Sequence, residues 1–298
     1  MDNRYFPLVV VVVMLALGLT LTVADFQRAA TLRRPLLVAL ICQSLVLPTL
    51  CLLIAEAFHL QPTLAVGLML MSATPGGTMS NILSHLFNGD LALNLTLTAI
   101  NAVLSIFALP AILAVAMGWF MGDGRFIPLQ VDKFLGLFAL VLIPTAVGIA
   151  IRHRFPEFAR RLQKGVRIAA AVLLVVVVVA SIAKGQATLW ANFGVLSGAV
   201  VSFCAVSLSV GYLVPRRMHL GPRQAIAVSL EVGMHNAVVA MGVALSPQLL
   251  NNVEMATPAA VYGAIAPLMA LTFVFAARRL DPAFRMGVNT PITESPAS

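Results

Sequence analysis

Two short stretches hold the residues with chemistry to offer. PGGTMSN, at 75–81, sets Thr78, Ser80 and Asn81 directly after Pro75-Gly76-Gly77. EVGMHN, at 231–236, holds Glu231, Gly233, His235 and Asn236. Both fall near the middle of apolar runs, at 61–90 and 223–247. Proline removes a helix hydrogen bond and paired glycines relax the backbone, so the first run predicts a half-helix, an unwound PGG and a second half-helix starting near Thr78. The free N–H groups and positive dipole end of that second half-helix then lie inside an apolar layer. Glu231 is the only acidic residue deep in a run, with Glu56 near a predicted helix end and Glu254 in a linker. An ionisable group at that depth is expensive unless paired, which makes it a functional candidate.

Composition says what frame must hold these residues. Of 298 residues, 60% are hydrophobic and 10% charged. A soluble domain carries about 25% charged residues because its surface faces water, so much of this exterior must face hydrocarbon. A mean hydropathy of +0.97 agrees. Apolar runs occur at about 6–23, 35–57, 62–86, 91–118, 131–151, 168–183, 190–213, 224–245 and 256–276. Each approaches the roughly 20 residues that cross a bilayer as a helix, and none shows the alternation of a membrane barrel. The expectation is an all-α polytopic membrane protein with nine transmembrane helices. The first run is read as a retained helix rather than a leader, because Arg33 and Arg34 follow it instead of a small-residue cleavage site.

The net charge of +8 does not point to nucleic acid, since the bases sit in short linkers between apolar runs. Taking linkers on alternate sides, 15 of the 19 bases fall on one side; Arg4, Arg125, Lys133 and Lys184 fall on the other. The positive-inside rule then predicts an inner (plasma) membrane protein with its N-terminus outside and its C-terminus in the cytoplasm. Trp119 and Trp190 read as anchors at the outer interface. Cys42, Cys51 and Cys204 lie inside apolar runs as buried thiols, with no disulfide framework or metal spacing. His85, His153 and His219 form no HExxH-like motif, and Gly76-Gly77 lacks the ending of a phosphate loop. A membrane enzyme is therefore disfavoured, and no charged ring suggests a channel.

The two interrupted runs occupy related places. If the first half has lost an initial helix, each is next to last in a five-helix unit, and two inverted repeats bring the breaks face to face at mid-membrane. That arrangement makes an ion and substrate site from half-helix ends and exposed carbonyls. The expected division is 1–127 as a four-helix first repeat, 128–285 as a five-helix second repeat, and 286–298 as a disordered tail. A Pro-Gly-Gly can be only a kink and a lone buried Glu only a packed group. Both features together, among small oxygen-bearing side chains, argue for a shared site.

At these segments the chain resembles the bile acid:sodium symporter family, in its nine-helix bacterial form. The matches are GLTLTVADF (18–26), QSLVLP (43–48), PGGTMSNILSHLFNGDLALNLTLT (75–98) and EVGMHN (231–236), within a likeness covering about 5–280. The resemblance implies a panel domain beside a core domain that contains two broken, crossing helices. It implies a first sodium site from Ser80, Asn81, Asn94, Thr98 and Glu231. A second would use Gln43, Glu231, the backbone oxygens of Val232 and Met234, and His235. Thr78 and Asn236 would hold the substrate's polar end at the half-helix N-termini, close to Ser80, Asn81 and His235. Physical chemistry agrees: sodium is a hard cation suited to these oxygens, and Asn94 and Thr98, four apart on a helix, face one point. An anion seated on the N–H groups of 78–81 needs no embedded arginine, and no arginine or lysine lies deep in any run.

Two departures bear on function. His235 stands where the family usually has glutamine, so it replaces one sodium by a proton, weakens the second site, or makes a structural hydrogen bond to Glu231; one or two sodium ions are implied. Asn94, standing where serine is frequent, still offers an oxygen. In the last helix Ala266-Pro267 replaces the polar His-Asn of bile-acid-binding bacterial relatives, which favours a small acid such as pantoate over a steroid. The resemblance thus implies sodium-coupled symport of a small organic anion. Proton-coupled or sodium-independent transport, and bile acid uptake, are the alternatives. A lipid bilayer and the anion are the implied partners; neither nucleic acid nor an obligate protein partner is implied.

Overall fold

Helices make up all the regular structure among the described residues, apart from one isolated bridge between Gly76 and His235. In this computed structural model those residues are 11–122 (except 13, 17, 20 and 21), 131–162, 165, 168, 172, 186–246 and 249–280. The expected span at 168–183 lies outside them but for two positions, as do the start of the first span and the tail at 286–298.

In chain order the elements are α1 (Val23–Arg28), α2 (Arg33–Ala57), α3 (Pro62–Ser72), α4 (Thr78–Leu86) and α5 (Leu91–Phe120). Then follow α6 (Val131–Arg154), α7 (Gln186–Arg217), α8 (Pro222–Gly233), α9 (Ala237–Leu245) and α10 (Val253–Leu280). Three stretches are long and apolar enough to cross a membrane unbroken: Arg33–Ala57, Phe193–Arg217 and Val253–Leu280. The bent α5 makes a fourth. Its 56° bend falls at residue 106, four before Pro110, where the proline ring displaces the carbonyl it would otherwise bond. In α2 the missing N–H of Pro48 is absorbed by a π turn over Cys42–Val46, closed by Leu47 N–H to the Cys42 carbonyl.

The runs at 61–90 and 223–247 are each two half-helices. α3 stops at Ser72 and α4 starts at Thr78; α8 stops at Gly233 and α9 starts at Ala237. Small residues let neighbouring backbones touch. A Cβ on Gly67 of α3 would overlap the Met255 carbonyl of α10, and one on Gly211 of α7 would come within 2.7 Å of the Ser229 backbone of α8.

One local structure occurs twice. α2 ends in His59-Leu60-Gln61-Pro62 and α7 in His219-Leu220-Gly221-Pro222. Both histidines take positive φ, 47° and 59°. Leu60 N–H reaches the Ala55 carbonyl at 3.1 Å, and Leu220 N–H the Pro215 carbonyl at 2.9 Å. This is the same left-handed cap, satisfying a terminal carbonyl before proline starts the next helix. Past each second half-helix comes another pair, Asn88 (φ 54°) and Asn251 (φ 48°). In each case a capping side chain follows: Asp90 accepts from Leu93 N–H and Asn252 from Met255 N–H.

Contacts sort the helix ends onto two faces. On one, Thr63 donates to Glu254 at 2.9 Å and exposed Trp119 to Glu56 at 2.6 Å. On the other, Arg34 reaches Met218, Arg223 reaches Asn88, and Arg278 reaches Phe87. Three arginines, Arg34, Arg223 and Arg278, thus meet helix ends on the second face.

Candidate functional site

The two breaks meet each other directly. Gly77 N–H donates to the Met234 carbonyl at 3.3 Å and Asn236 N–H to the Pro75 carbonyl at 3.0 Å. These reciprocal bonds make Gly76 and His235 an antiparallel, non-hydrogen-bonded pair. Non-helical backbone with its polar groups unpaired is untenable in an apolar layer; here each break satisfies part of the other.

Glu231, in the last turn of α8, is fully buried. Its carboxylate lies against the α-carbon of Gly76, where any Cβ would collide with it. Oε2 accepts from Ser80 Oγ at 2.8 Å and Thr98 Oγ1 at 2.7 Å, and Asn101 Nδ2 stands 3.5 Å from Oε1. Asn81 Nδ2 reaches Thr98 Oγ1 at 3.3 Å. With its amide turned so that both atoms are satisfied, Asn94 gives its nitrogen to the Ala227 carbonyl at 2.7 Å and its oxygen accepts the Asn81 backbone N–H at 3.2 Å. Ser80, Asn81, Asn94, Thr98 and Glu231 thus converge in one buried cluster on α4, α5 and α8.

Gln43 and His235 meet at a second point, the Thr74 carbonyl. Gln43 Nε2 donates to it at 3.2 Å and to the Ser72 carbonyl at 3.3 Å. His235 Nδ1 lies 3.3 Å from the same oxygen. A carbonyl only accepts, so Nδ1 carries the proton and Nε2 keeps a lone pair. Gln43 Oε1 and His235 Nε2 are both buried without a partner. The structural alternative for His235, a bond to Glu231, is therefore corrected: its bond goes to the broken backbone of the opposite span. The ring stacks on Phe203, centroids 5.1 Å apart at 14°, and tilts against Tyr262 at 5.6 Å. The groups gathered at Glu231 are hydroxyls, amides and a carboxylate, which offer hard oxygen.

The carbonyls of Val232 and Met234 end α8, and that of Met234 already accepts from Gly77. At the other half-helix ends, α4 has Gly77 as N-cap with no side-chain bond, while Asn236 caps α9, its Oδ1 accepting from Val239 N–H at 3.2 Å. Asn236 Nδ2 remains for other use. Thr78 starts α4, but its side chain lies outside the described set.

Four contributors escaped the sequence reading. Asn101 had a signal, since 94, 98 and 101 share one helix face. Thr74 acts through its carbonyl, Phe203 through stacking, and Tyr262 by donating to the Gly233 carbonyl at 2.6 Å; spacing announces none of these. Beside Asn101 runs a narrow crevice lined by Gln43, Ser44, Thr74 and Ser105, among others.

The profile described as Sodium Bile acid symporter family matches residues 7–192. A probable chloroplastic sodium/metabolite cotransporter of Oryza sativa subsp. japonica is 29% identical over 251 residues, 83% of this chain and 58% of the relative. An uncharacterized sodium-dependent transporter of Bacillus subtilis is 23% identical over 262 residues, 87% of this chain and 78% of the relative. A sodium-dependent organic anion transporter of Homo sapiens is 28% identical over 209 residues, 69% of this chain and 54% of the relative. The chain spans just over half the length of the rice and human relatives. These relatives are transporters by description, not enzymes. With a profile that covers more than half its length, the chain belongs to the sodium bile acid symporter family.

Proposed function

We propose that this protein is a secondary active transporter that couples sodium to the uptake of a small organic anion. The observation that carries the reading is Glu231: a fully buried carboxylate, held by neutral donors where two broken spans meet. Its side-chain partners, Ser80, Thr98 and Asn101, are all neutral. A buried carboxylate without a counter-charge is strongly disfavoured, and a sodium ion bound among hard oxygens supplies that charge.

The first ion then sits among Ser80, Asn81, Asn94, Thr98 and Glu231. A second uses Gln43, Glu231, His235 and the carbonyls of Val232 and Met234; the two orphaned acceptors, Gln43 Oε1 and His235 Nε2, support it. The anion docks on the N-terminal N–H groups of α4 and α9, with Thr78 and Asn236 to hold its polar end and Ser80, Asn81 and His235 as further substrate-binding residues. Ala266-Pro267 in α10 favours a short hydroxy or keto acid, pantoate-like, over a bile acid. Ions stabilise the substrate-competent state, and a core moving against a panel gives alternating access.

The same proposal has nine spans in two inverted repeats, 1–127 and 128–285, in the inner membrane. The repeated HLQP and HLGP turns, which cap spans two and seven on opposite faces, support it. The basic face is cytoplasmic and the N-terminus external.

The test is uptake into vesicles of pantoate, other short acids and a bile acid, with and without an inward sodium gradient. Short acids should accumulate only with the gradient, and Glu231→Ala should reduce uptake to background. Equal uptake without sodium, untouched by that substitution, defeats the proposal.

A second reading is proton coupling at His235, favoured by its buried, unpartnered Nε2. It expects uptake driven by a pH gradient and abolished as a pH response in His235→Gln. If that variant keeps the wild-type ion and pH dependence, the histidine is not the coupling group.

A further inference from the structure

The end of α8 is fastened to α10 by a buried hydroxyl. Tyr262 is 1% exposed and donates to the Gly233 carbonyl at 2.6 Å. In an unbroken helix that carbonyl would accept from the N–H four residues on, which belongs to Ala237. Here the Ala237 N–H turns to the His235 carbonyl instead, at 3.1 Å. The break takes one donor away, and Tyr262 supplies another. The next carbonyl, that of Met234, goes to a different span and accepts from Gly77 of the first break. Between the two the backbone leaves the helix, with Met234 at φ −122° and ψ 70°. Successive carbonyls are thus tied to separate partners, which fixes the peptide planes of the unwound turn.

We propose that Tyr262 is a positioning residue for sodium: its hydroxyl holds the unwound end of α8 so that the carbonyls of Val232 and Met234 are set for a cation before it arrives. The inference rests on the sodium reading of this site and adds a residue that acts through the backbone. Oxygens already in place spare the ion the work of ordering them, so preorganisation appears as affinity.

The surroundings of Tyr262 fit this role. Its ring tilts against His235, and it lies 6.0 Å from Phe203, which stacks on the same histidine. Beside it on α10, a Cβ on Gly263 would stand 3.3 Å from that of Ala237, the first residue of α9. One turn of α10 therefore braces the last residue of α8, the first of α9 and the histidine between them. Packing explains an aromatic ring at 262; the hydroxyl is explained by the carbonyl that the break left without its helical donor. The first break has a similar brace from outside, where Gln43 of α2 donates to the Ser72 and Thr74 carbonyls.

The experiment compares the full chain with Tyr262→Phe and Gly263→Ala. In neutral detergent, thermal unfolding is followed over a titration of sodium chloride against choline chloride; in vesicles, pantoate uptake is followed over the same range. Tyr262→Phe should raise the half-saturating sodium concentration roughly tenfold. Its uptake at saturating sodium should stay within about twofold of wild type, since the ion's affinity changes and the transport step does not. Gly263→Ala disturbs packing at the same turn but keeps the hydroxyl, so it should shift the melt without that change in sodium requirement. An unmoved sodium midpoint in Tyr262→Phe, or an equal shift in Gly263→Ala, overturns the proposal. If Tyr262→Phe does not accumulate, 3-fluorotyrosine at 262 keeps the ring and strengthens the donor. Half-saturating sodium should then fall about twofold, and an unmoved value is again fatal. A wild type indifferent to sodium in both assays would sink the transport reading itself, whereas a responsive wild type with an unmoved variant sinks only this inference.

Discussion

The break between α3 and α4 and the break between α8 and α9 have matching backbones and divided chemistry. Each interrupts an apolar span, each follows a helix begun at proline after a left-handed histidine, and each donates one N–H to the other. The first contributes room: Gly76 has no Cβ, and the Glu231 carboxylate fills that space. The second contributes charge and a ring, in Glu231 and His235. A repeated backbone thus supplies position, while unequal side chains supply function. The caps on the two faces repeat the lesson, with glutamate in one and arginines in the other.

The sharpest way to break this comparison is to fill the empty half. Gly76→Ala should abolish sodium-driven uptake and cost about 1–3 kcal/mol of stability by overpacking, measured by vesicle uptake and thermal unfolding. Wild-type uptake in that variant would mean the breaks do not have to fit together. Next, Thr98→Ala removes a donor to a buried carboxylate, a loss of about 1.5–3 kcal/mol. On the proposed coupling this appears as a sodium requirement raised roughly tenfold to a hundredfold in uptake titrations. Asn101→Ala, whose contact is longer, should raise it only a few-fold. A shift as large as that of Thr98→Ala would make Asn101 a principal ligand.

The smallest effect sharpens the comparison of the caps. Glycine relieves a left-handed position, so His59→Gly and His219→Gly should each change stability by about 1 kcal/mol or less, both toward greater stability. Opposite signs in paired thermal melts would break the equivalence of the two turns.

Much of this site was legible because membrane helices make their exceptions conspicuous. Proline, paired glycines and a carboxylate in apolar runs predicted both breaks, and Asn94 with Thr98 announced a shared face. Asn101 carried the same helical signal one turn on, but its relevance depends on where α8 sets Glu231. The HLQP and HLGP matches were present in the sequence, yet four letters carry little weight until two histidines prove left-handed. The bond from His235 went to Thr74 rather than Glu231 because antiparallel pairing of the breaks turns the ring toward the opposite span.

By itself the sequence determined the environment, the interruptions and the buried acid, because each follows from local chemistry: hydropathy, a missing N–H, an absent side chain, an ionisable group among apolar ones. Only the tertiary structure decided which groups meet. The reciprocal bonds between breaks, the pocket Gly76 leaves for Glu231, the unpartnered atoms of Gln43 and His235, and the bond from Arg34 to the Met218 carbonyl all join residues far apart in the chain. Such contacts arise from how helices cross, and crossing is set by packing across the whole bundle rather than by any one segment.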